Sequence, residues 1–295
     1  MGRTVDAVVT YVDGSDPQWL KEYAAAVGES LEPKRFRDWG LLRYLLRGIS
    51  TYMPFVENVY LVVSGEGQVP SWLSSEVKVV YHRDIIPEKF LPVFNSCAIE
   101  MFLHRIPGLA ERFVYFNDDI IPLMPCSEEA FFRGDCLALD FRKGIFATNM
   151  YTRQVLNSSN MARKALGMRP SQAWVRPPHS CMPMLRSASA QAFDAVDGDI
   201  LSRISALREP RNLNQYFFVD YLYYAGRTVK GSLTRKHLSL GVKSGRSVRS
   251  FILAPDRHMA CINDVSMTED RFLQLRDEIL AALQERLPER SRFEL

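Results

Sequence analysis

Short apolar runs that end abruptly in polar residues recur along the first half of the chain. Residues 6–12, 59–63, 77–81 and 113–116 are rich in β-branched and aromatic side chains. Runs of this length and composition are typical of buried strands. We therefore predict four strands, and we expect each to deliver the polar residues that follow it to the end of a sheet.

Helices are predicted between and after these strands. Apolar residues recur at helical spacing from Asp38, the expected N-cap, to about residue 53, and a shorter helix is expected from about 18 to 27. Further helices are expected near 187–206 and, after a capping-box pattern, over 266–288. The apolar stripe of the last helix should pack on the body of the protein.

The order of these elements indicates the fold class. Strands that alternate with helices predict an α/β protein with a mostly parallel sheet and helices on both faces, as in Rossmann-like or GT-A-like folds. Residues 120–178 contain many prolines and glycines, so we expect an irregular insertion there with short helices and no core of its own. The whole chain, 1–295, is then interpreted as a single α/β domain.

The polar residues after 113–116 carry the clearest chemical signal. Asn117 precedes two adjacent aspartates, Asp118 and Asp119, which would be costly inside a core and should lie where the strand emerges. Paired carboxylates at this place suit a hard divalent cation such as Mg²⁺. The alternative is a polar junction between strand and loop, since Asn-Asp is also turn chemistry. A second Asn-Asp pair, Asn263-Asp264, follows an apolar run late in the chain.

A dense turn signal follows the first strand, at Asp13-Gly14-Ser15-Asp16-Pro17. A strand that leads through such a loop into a helix would place backbone N–H groups and carboxylates near a nucleotide. The loop has neither the GxGxxG pattern nor the P-loop pattern, so neither of those phosphate-binding loops is predicted.

Charge is unevenly distributed, although the net charge is only +3. Residues 141–193 and 221–255 contain no Asp or Glu but many Arg and Lys. Such stretches favour a surface for a polyanion, namely a phosphorylated donor, an acidic polymer or a membrane face. The alternative is a solvated basic face without a partner. No nucleic-acid-binding module is recognisable, so no nucleic acid partner is expected.

Cysteine usage and hydropathy indicate the compartment. The five cysteines are scattered and form no CxxC pair, which argues against a structural zinc site or a disulfide framework. No apolar run approaches the roughly 18 residues of a membrane span, and the N-terminus shows no secretory segment. We expect a cytoplasmic protein, with peripheral contact to the inner face of the membrane as a further hypothesis.

Several segments together resemble the Stealth family of sugar-1-phosphate transferases. That family includes capsular polysaccharide phosphotransferases and the catalytic core of N-acetylglucosamine-1-phosphotransferase. Its four separated conserved regions all have a match here, of which the second is the longest. The third departs most, because Ser180-Cys181-Met182 stand between His179 and the next proline. The matching segments are 6–17; 35–49, 70–73, 94–100, 104–109 and 115–119; His179 and Arg211; and 261–264.

The resemblance implies an activity. Family members move a sugar-1-phosphate from a nucleotide sugar, usually of the UDP-hexosamine type, to a glycan hydroxyl, and a nucleoside monophosphate leaves. Capsular or exopolysaccharide synthesis is the implied setting. Such a step needs charge neutralisation and positioning more than covalent chemistry. The implied cofactor is Mg²⁺ or Mn²⁺ on the diphosphate.

The resemblance also implies roles for individual residues. Asp118, Asp119 and Asp264 would hold the metal ion, and Asp119 would be catalytic together with His179 and Arg211. Arg211 would brace the transferred phosphoryl oxygens. His179 would be general base for the acceptor hydroxyl, or orient it. The nucleotide-sugar pocket would be lined by Asp13, Gly14, Arg43, Asn95 and Ser96.

Two other functions compete with this interpretation. A metal-dependent glycosyltransferase would share the strand-end aspartates, but it would break the sugar C–O bond and release a nucleoside diphosphate. Asn117-Asp118-Asp119 is not a DxD motif, and such an enzyme has no special need for His179 with Arg211. A non-catalytic protein that binds glycans or polyanions would use the basic stretches, but it would not need three aspartates in two Asn-Asp pairs.

Overall fold

The computed structural model describes residues 4–28 and 36–295, so Arg35 of the second matching segment lies outside the described residues. The strands are β1 (Val5–Thr10), β2 (Val56–Val63), β3 (Val77–Tyr81), β4 (Arg112–Asn117), β5 (Ile120–Pro122), β6 (Phe132–Arg133), β7 (Cys136–Ala138), β8 (Arg142–Ile145), β9 (Ala173–Arg176), β10 (Met182–Leu185), β11 (Thr228–Val229), β12 (Arg235–Ser239) and β13 (Met259–Asn263). The helices are α1 (Pro17–Val27), α2 (Leu42–Tyr52), α3 (His82–Ile85), α4 (Ser96–Glu100), α5 (Met150–Ala165), α6 (Arg186–Asp194), α7 (Asp197–Leu201), α8 (Tyr216–Tyr224), α9 (Gly245–Leu253) and α10 (Glu269–Arg286).

The main sheet contains all four predicted strands. Its strand order is β10-β4-β1-β2-β3. Most side chains of β1 and β4 are buried, as expected for central strands that are covered on both faces. The prediction of an α/β fold with parallel strands and helices is confirmed.

Strand β10 is an edge strand that the sequence patterns do not predict. It runs antiparallel to β4, with Met182 opposite Tyr115 and Leu185 opposite Arg112. Pro183 lies within it, and proline is tolerated in an edge strand because one side of that strand has no ladder partner. The run is short and contains proline, so its apolar pattern alone does not identify a strand.

Three of the predicted helices differ in their extent from the prediction. Helix α2 begins at Leu42 rather than just after Asp38. Asp38 instead accepts the N–H of Gly40 at 2.8 Å and so caps a turn, in which Gly40 has a φ of 71°. The helix expected near 187–206 is two shorter ones, α6 and α7. The last helix begins at Glu269 with Thr268 as its N-cap.

Residues 120–178 are more regular than expected. They include strands β5 to β9 and the 16-residue helix α5. The buried positions of α5 include Gln154, Ser158 and Ser159, whose side chains are satisfied by hydrogen bonds to neighbouring segments. Because these inward-facing residues are polar, the helix shows little apolar periodicity in the sequence.

The chain forms two compact units. The first comprises the residues up to Asp6, Val80–Tyr115 and Glu129–Ser232, and the second comprises Ala7–Val79, Phe116–Glu128 and Leu233–Leu295. Each has its own buried residues, such as Phe102 and Phe193 in the first and Leu45 and Ile49 in the second. The single-domain interpretation stays a prediction. Within 4–28 and 36–295, no helix has both the length and the apolar character that crossing a membrane requires.

Candidate active site

Carboxylates gather around Tyr11 in the second unit. Asp118 and Asp119 follow β4, Asp13 follows β1, and Asp38 precedes α2. The phenol of Tyr11 donates a hydrogen bond to Asp38 Oδ2 at 3.2 Å. Burial raises the pKa of Tyr11, and the charges of Asp38, Asp13 and Asp118 raise it further. The polar residues after β1 and β4 therefore lie together, as the sequence predicts.

Asp118 lies among other carboxylates. The residue is half-buried, and the packing of its carboxyl group among protein atoms raises its pKa to about 8, with further contributions from the charges of Asp119 and Asp38. Next to it, the buried Oδ1 of Asn117 has no hydrogen-bond partner among the described residues. Clustered carboxylates beside an unsatisfied buried oxygen are the oxygen-rich surroundings that a hard divalent cation prefers.

The second Asn-Asp pair reaches this place through β13. Strand β13 pairs antiparallel with β5, which places Cys261 opposite Ile120. Ile262 donates its backbone N–H to the carbonyl oxygen of Asp119 at 2.9 Å, and Cys261 Sγ lies 3.6 Å from Asp119 Oδ2. Burial, and then the charge of Asp119, raise the pKa of the Cys261 thiol. The chain that carries Asp264 is thus adjacent to Asp119.

The carboxylate of Asp264 is held by Arg37, which the sequence analysis did not single out. Arg37 Nε lies 2.7 Å from one oxygen and Nη2 lies 2.8 Å from the other. The guanidinium also donates to the Val265 carbonyl and covers the ring of Phe272 at 4.5 Å. Both oxygens of Asp264 accept hydrogen bonds from the Arg37 guanidinium. To be a metal ligand, Asp264 must therefore bind the metal ion and Arg37 together or give up its contact with Arg37. Its role as a metal ligand stays a prediction.

Asp13 and Gly14 form a pinned loop. Asp13 Oδ1 accepts hydrogen bonds from the backbone and hydroxyl of Ser15. Gln68 bonds to both the N–H and the carbonyl of Asp13, so the loops after β1 and β2 are joined. The N–H of Gly14 donates to the Phe36 carbonyl at 2.8 Å, and a Cβ at Gly14 would collide with that carbonyl. Only glycine allows this close approach.

Arg43 does not join the Asp13 loop in the contacts of the described residues. Its guanidinium lies 3.5 Å from the carboxylate of Glu294 and covers the ring of Trp72 at 4.7 Å. These contacts tie helix α2 to the C-terminal segment. A role of Arg43 in a nucleotide-sugar pocket stays a prediction.

In the first unit, Asn95 is buried and fully hydrogen-bonded. Its Oδ1 caps helix α4 by accepting the N–H of Cys97. Its Nδ2 donates to the carbonyls of Ser205 and Leu207 and to Asn212 Oδ1. Because both of its polar atoms are engaged inside the protein, Asn95 fixes the segment that carries the arginines of this unit. The expected contact with a nucleotide sugar stays a prediction.

Two arginines extend from that segment. Arg208 Nη2 donates to Ser96 Oγ at 2.5 Å, which the sequence analysis did not foresee. Arg211 Nε lies 2.6 Å from Glu209 Oε2, with side chains 55% and 42% exposed. An exposed ion pair contributes about 1 kcal/mol or less. Arg211 is therefore readily available to a phosphate, the ligand for which it was predicted.

Glu100 is a buried acid of this unit that the sequence analysis also missed, although it lies inside a matching segment. It accepts the N–H of Gln215 at 2.7 Å and lies 3.5 Å from the phenol of Tyr115. Burial raises its pKa to about 7, while the Gln215 bond and the charges of Arg208 and His179 act in the opposite direction. His179 is thus within electrostatic reach of Glu100.

Glu100→Gln should change the pH dependence of stability. Folding raises the pKa of Glu100 from an ordinary value of 4.5 to about 7. Between these values the unfolded chain has lost a proton that the folded chain keeps, so the wild-type free energy of unfolding falls as pH rises. The Glu100→Gln variant has no carboxyl group at this position to ionise, so its free energy of unfolding should not fall in this way. It should exceed that of wild type by roughly 3 kcal/mol at and above pH 7.

Urea unfolding across this pH window measures the effect, with Glu88→Gln as a control because Glu88 is exposed in the same unit. If wild type and Glu100→Gln show parallel stability profiles, Glu100 does not titrate as described.

Comparison with known proteins identifies relatives of this chain. The family model described as Stealth protein CR2, conserved region 2, matches residues 35–139. The chain is 31% identical over 335 aligned positions to the receptor polysaccharide phosphotransferase WefC of Streptococcus oralis, and the match covers 99% of each chain. The chain belongs to the Stealth family.

Other Stealth relatives have similar names. The capsular polysaccharide phosphotransferase WcwK of Streptococcus pneumoniae is 31% identical, again over 99% of each chain. The capsular polysaccharide phosphotransferase fcs1 of Haemophilus influenzae is 28% identical over 91% of this chain and 80% of its own. This Stealth protein is accordingly a transferase enzyme, of the phosphotransferase type.

A solved structure with weak similarity to this chain is that of the galactosyltransferase LgtC in complex with donor and acceptor sugar analogs. Its TM-score is 0.42, with 9% sequence identity over 92% of this chain and 95% of that one. A similarity of this size supports no conclusion about the reaction of the Stealth protein.

The region matched by the Stealth family model contains many of the residues whose contacts are described above. It contains Asp118, Asp119 and Asn117 as well as Asn95 and Glu100. His179, Arg211 and Asp264 lie outside that region, so their roles depend on the sequence resemblance and on the contacts given above.

Proposed function

We propose that this Stealth protein transfers a sugar-1-phosphate from a nucleotide sugar to a hydroxyl of a polysaccharide. The proposed donor is of the UDP-hexosamine type, and the setting is capsular or exopolysaccharide synthesis in the cytoplasm. The observation that carries the proposal is the cluster of carboxylates around Asp118, which lies beside the unsatisfied oxygen of Asn117. It occurs in a chain related along its length to polysaccharide phosphotransferases.

Mg²⁺ or Mn²⁺ fits this cluster of carboxylates. Asp118 and Asp119 are the proposed ligands, with Asp264 as a third. The elevated pKa of Asp118 reflects burial first and then the charges of Asp119 and Asp38, and a bound divalent cation would hold these carboxylates ionised. When bound, such an ion neutralises charge on a diphosphate.

The proposed reaction takes place at the phosphorus atom attached to the sugar. The oxygen of the acceptor hydroxyl forms a bond to this phosphorus. The bond from the same phosphorus to the bridging oxygen of the diphosphate breaks, and the nucleoside monophosphate leaves with that oxygen. The product carries a phosphodiester between sugar and acceptor. No oxidant, reductant or further reactant is required.

His179 and Arg211 have separate tasks in this proposal. His179 accepts the proton of the acceptor hydroxyl, or orients that hydroxyl, as histidine commonly does near neutral pH. Arg211 leaves its exposed contact with Glu209 and donates to the oxygens of the transferred phosphoryl group. Asp13 and Gly14 shape the donor pocket through the loop that Gln68 pins.

The test is product analysis with a panel of nucleotide sugars. Purified protein is incubated with Mg²⁺, each donor and a capsular oligosaccharide, and the oligosaccharide fraction is examined by phosphorus NMR. We expect a phosphodiester signal that appears with a UDP-hexosamine and requires the protein. A glycosylated product without phosphorus would show that this chain is a glycosyltransferase instead.

A further inference from the structure

Exposed apolar side chains are concentrated in one part of the described chain. The large hydrophobic residues exposed within 4–28 and 36–295 are Ile145, Phe146, Tyr151, Met168, Val242, Leu273 and Leu295. Four of these seven lie between 145 and 168. Ile145 and Phe146 are neighbours, 69% and 60% exposed, and we call this pair the apolar tip. Adjacent apolar residues at such exposure are a feature of interaction sites.

The apolar tip belongs to a fixed framework rather than to a loose loop. Strands β8 and β9 pair antiparallel, with Gly144 opposite Trp174. Beyond them, Phe146 donates its N–H to the carbonyl of Gln172 at 3.0 Å, and Trp174 Nε1 donates to the carbonyl of Phe146 at 2.7 Å. The indole of Trp174 packs so closely on Gly144 that a Cβ there would collide with it.

Phe146 itself adopts an unfavourable backbone conformation. Its φ is 59°, and it is the one non-glycine residue with a positive φ in the part of the chain that the structure describes. A bulky aromatic residue rarely occupies this region, and strained residues of this kind concentrate at functional sites. The strain accompanies an aromatic ring that is presented to solvent.

The stretch of chain that carries the apolar tip is basic, and four of its exposed cations have no acidic partner among the described residues. Arg142 and Lys143 are exposed on β8, and Arg153 and Arg169 are exposed on and beyond α5. Among the contacts of the described residues, none of these four pairs with a carboxylate. Residues 141–193 contain no Asp or Glu at all. Apolar residues among uncompensated cations are the pattern of a surface that binds anionic lipid.

We propose that the apolar tip and its basic neighbours dock on an anionic lipid bilayer. Ile145 and Phe146 enter the boundary between headgroups and acyl chains, and Arg142 and Lys143 contact the lipid phosphates. A hydrated polyanionic polymer would explain the cations, but it would offer Ile145 no apolar environment. The proposal does not depend on the proposed reaction.

Co-sedimentation with lipid vesicles tests the proposal on the full chain. One set of vesicles is phosphatidylcholine alone, and the other contains phosphatidylglycerol as well. Wild-type protein should sediment with the anionic vesicles only, and less so at high salt. Arg142→Ala with Lys143→Ala should lower the partition coefficient roughly 30-fold. Ile145→Ser with Phe146→Ser should lower it at least about tenfold.

Two further variants keep the test decisive. Phe146→Gly removes the ring and relieves the positive φ, so it should bind vesicles more weakly while its melting temperature is maintained or raised. Leu273→Ser changes an exposed apolar residue next to the acidic first turn of α10, and it should bind like wild type.

The proposal is overturned if folded wild-type protein does not sediment with anionic vesicles. It is equally overturned if Phe146→Gly and the double serine variant bind as wild type does. Binding to soluble dextran sulfate without binding to vesicles would assign the basic surface to a polymer and overturn the lipid proposal.

Discussion

Asp118→Asn should lose at least about 100-fold in kcat/KM with a nucleotide-sugar donor and Mg²⁺. Replacing a residue that only supports a metal ligand commonly lowers metal affinity or activity about 10–100-fold. Replacing a ligand itself should lower activity at least as much. Asparagine keeps the shape of the side chain but removes the charge. It should therefore weaken binding of Mn²⁺ as well, which titration calorimetry measures without turnover.

Stability separates this effect from misfolding. Without metal, Asp118 is penalised by burial and by the charges of Asp119 and Asp38, so Asp118→Asn should raise the melting temperature of metal-free protein while activity falls. Asp277→Asn is the matched control, since Asp277 is 72% exposed on α10. Wild-type activity and Mn²⁺ affinity in Asp118→Asn would exclude Asp118 as a ligand.

His179→Ala should reduce kcat on the order of 10²–10⁴-fold if His179 is the general base. Donor affinity should change little, because the proposed partner of His179 is the acceptor hydroxyl. The pH profile of kcat supplies a readout that a structural role would not move. The limb that reports the ionisation of the base should be absent from the variant.

The control for this variant is His237→Ala, which changes an exposed histidine on β12. Donor binding by equilibrium dialysis and a thermal melt show whether His179→Ala remains folded and competent to bind. If it is folded and turns over at the wild-type rate with an unchanged pH profile, His179 has no part in proton transfer.

Four strands of the main sheet could be predicted because their determinants are local. Each of the four strands is a short run of apolar residues followed by polar ones, and the fold places Asp13 and Asp118 close enough to Tyr11 to act on its pKa together.

Other features depend on partners that no local pattern reveals. Arg37 and Asp264 are 227 residues apart and form a bidentate pair, so the sequence shows the carboxylate but not the cation that holds it. Helix α5 is not evident from the sequence because some of its buried positions are polar. Hydrogen bonds to distant segments satisfy these residues, as the carbonyl of Glu209 does for Gln154. Asn95 was expected to bind ligand, but its surroundings use every polar atom of its side chain.

The released nucleotide tests the central claim most directly. Purified protein is incubated with Mg²⁺, UDP-N-acetylhexosamine and a capsular oligosaccharide, and the nucleotides are separated by ion-exchange chromatography over time. Attack at the phosphorus next to the sugar predicts UMP, formed in step with the phosphodiester product and lost in Asp118→Asn. Release of UDP in step with a phosphate-free glycoside would contradict the account, because the bond broken would then be the sugar C–O bond.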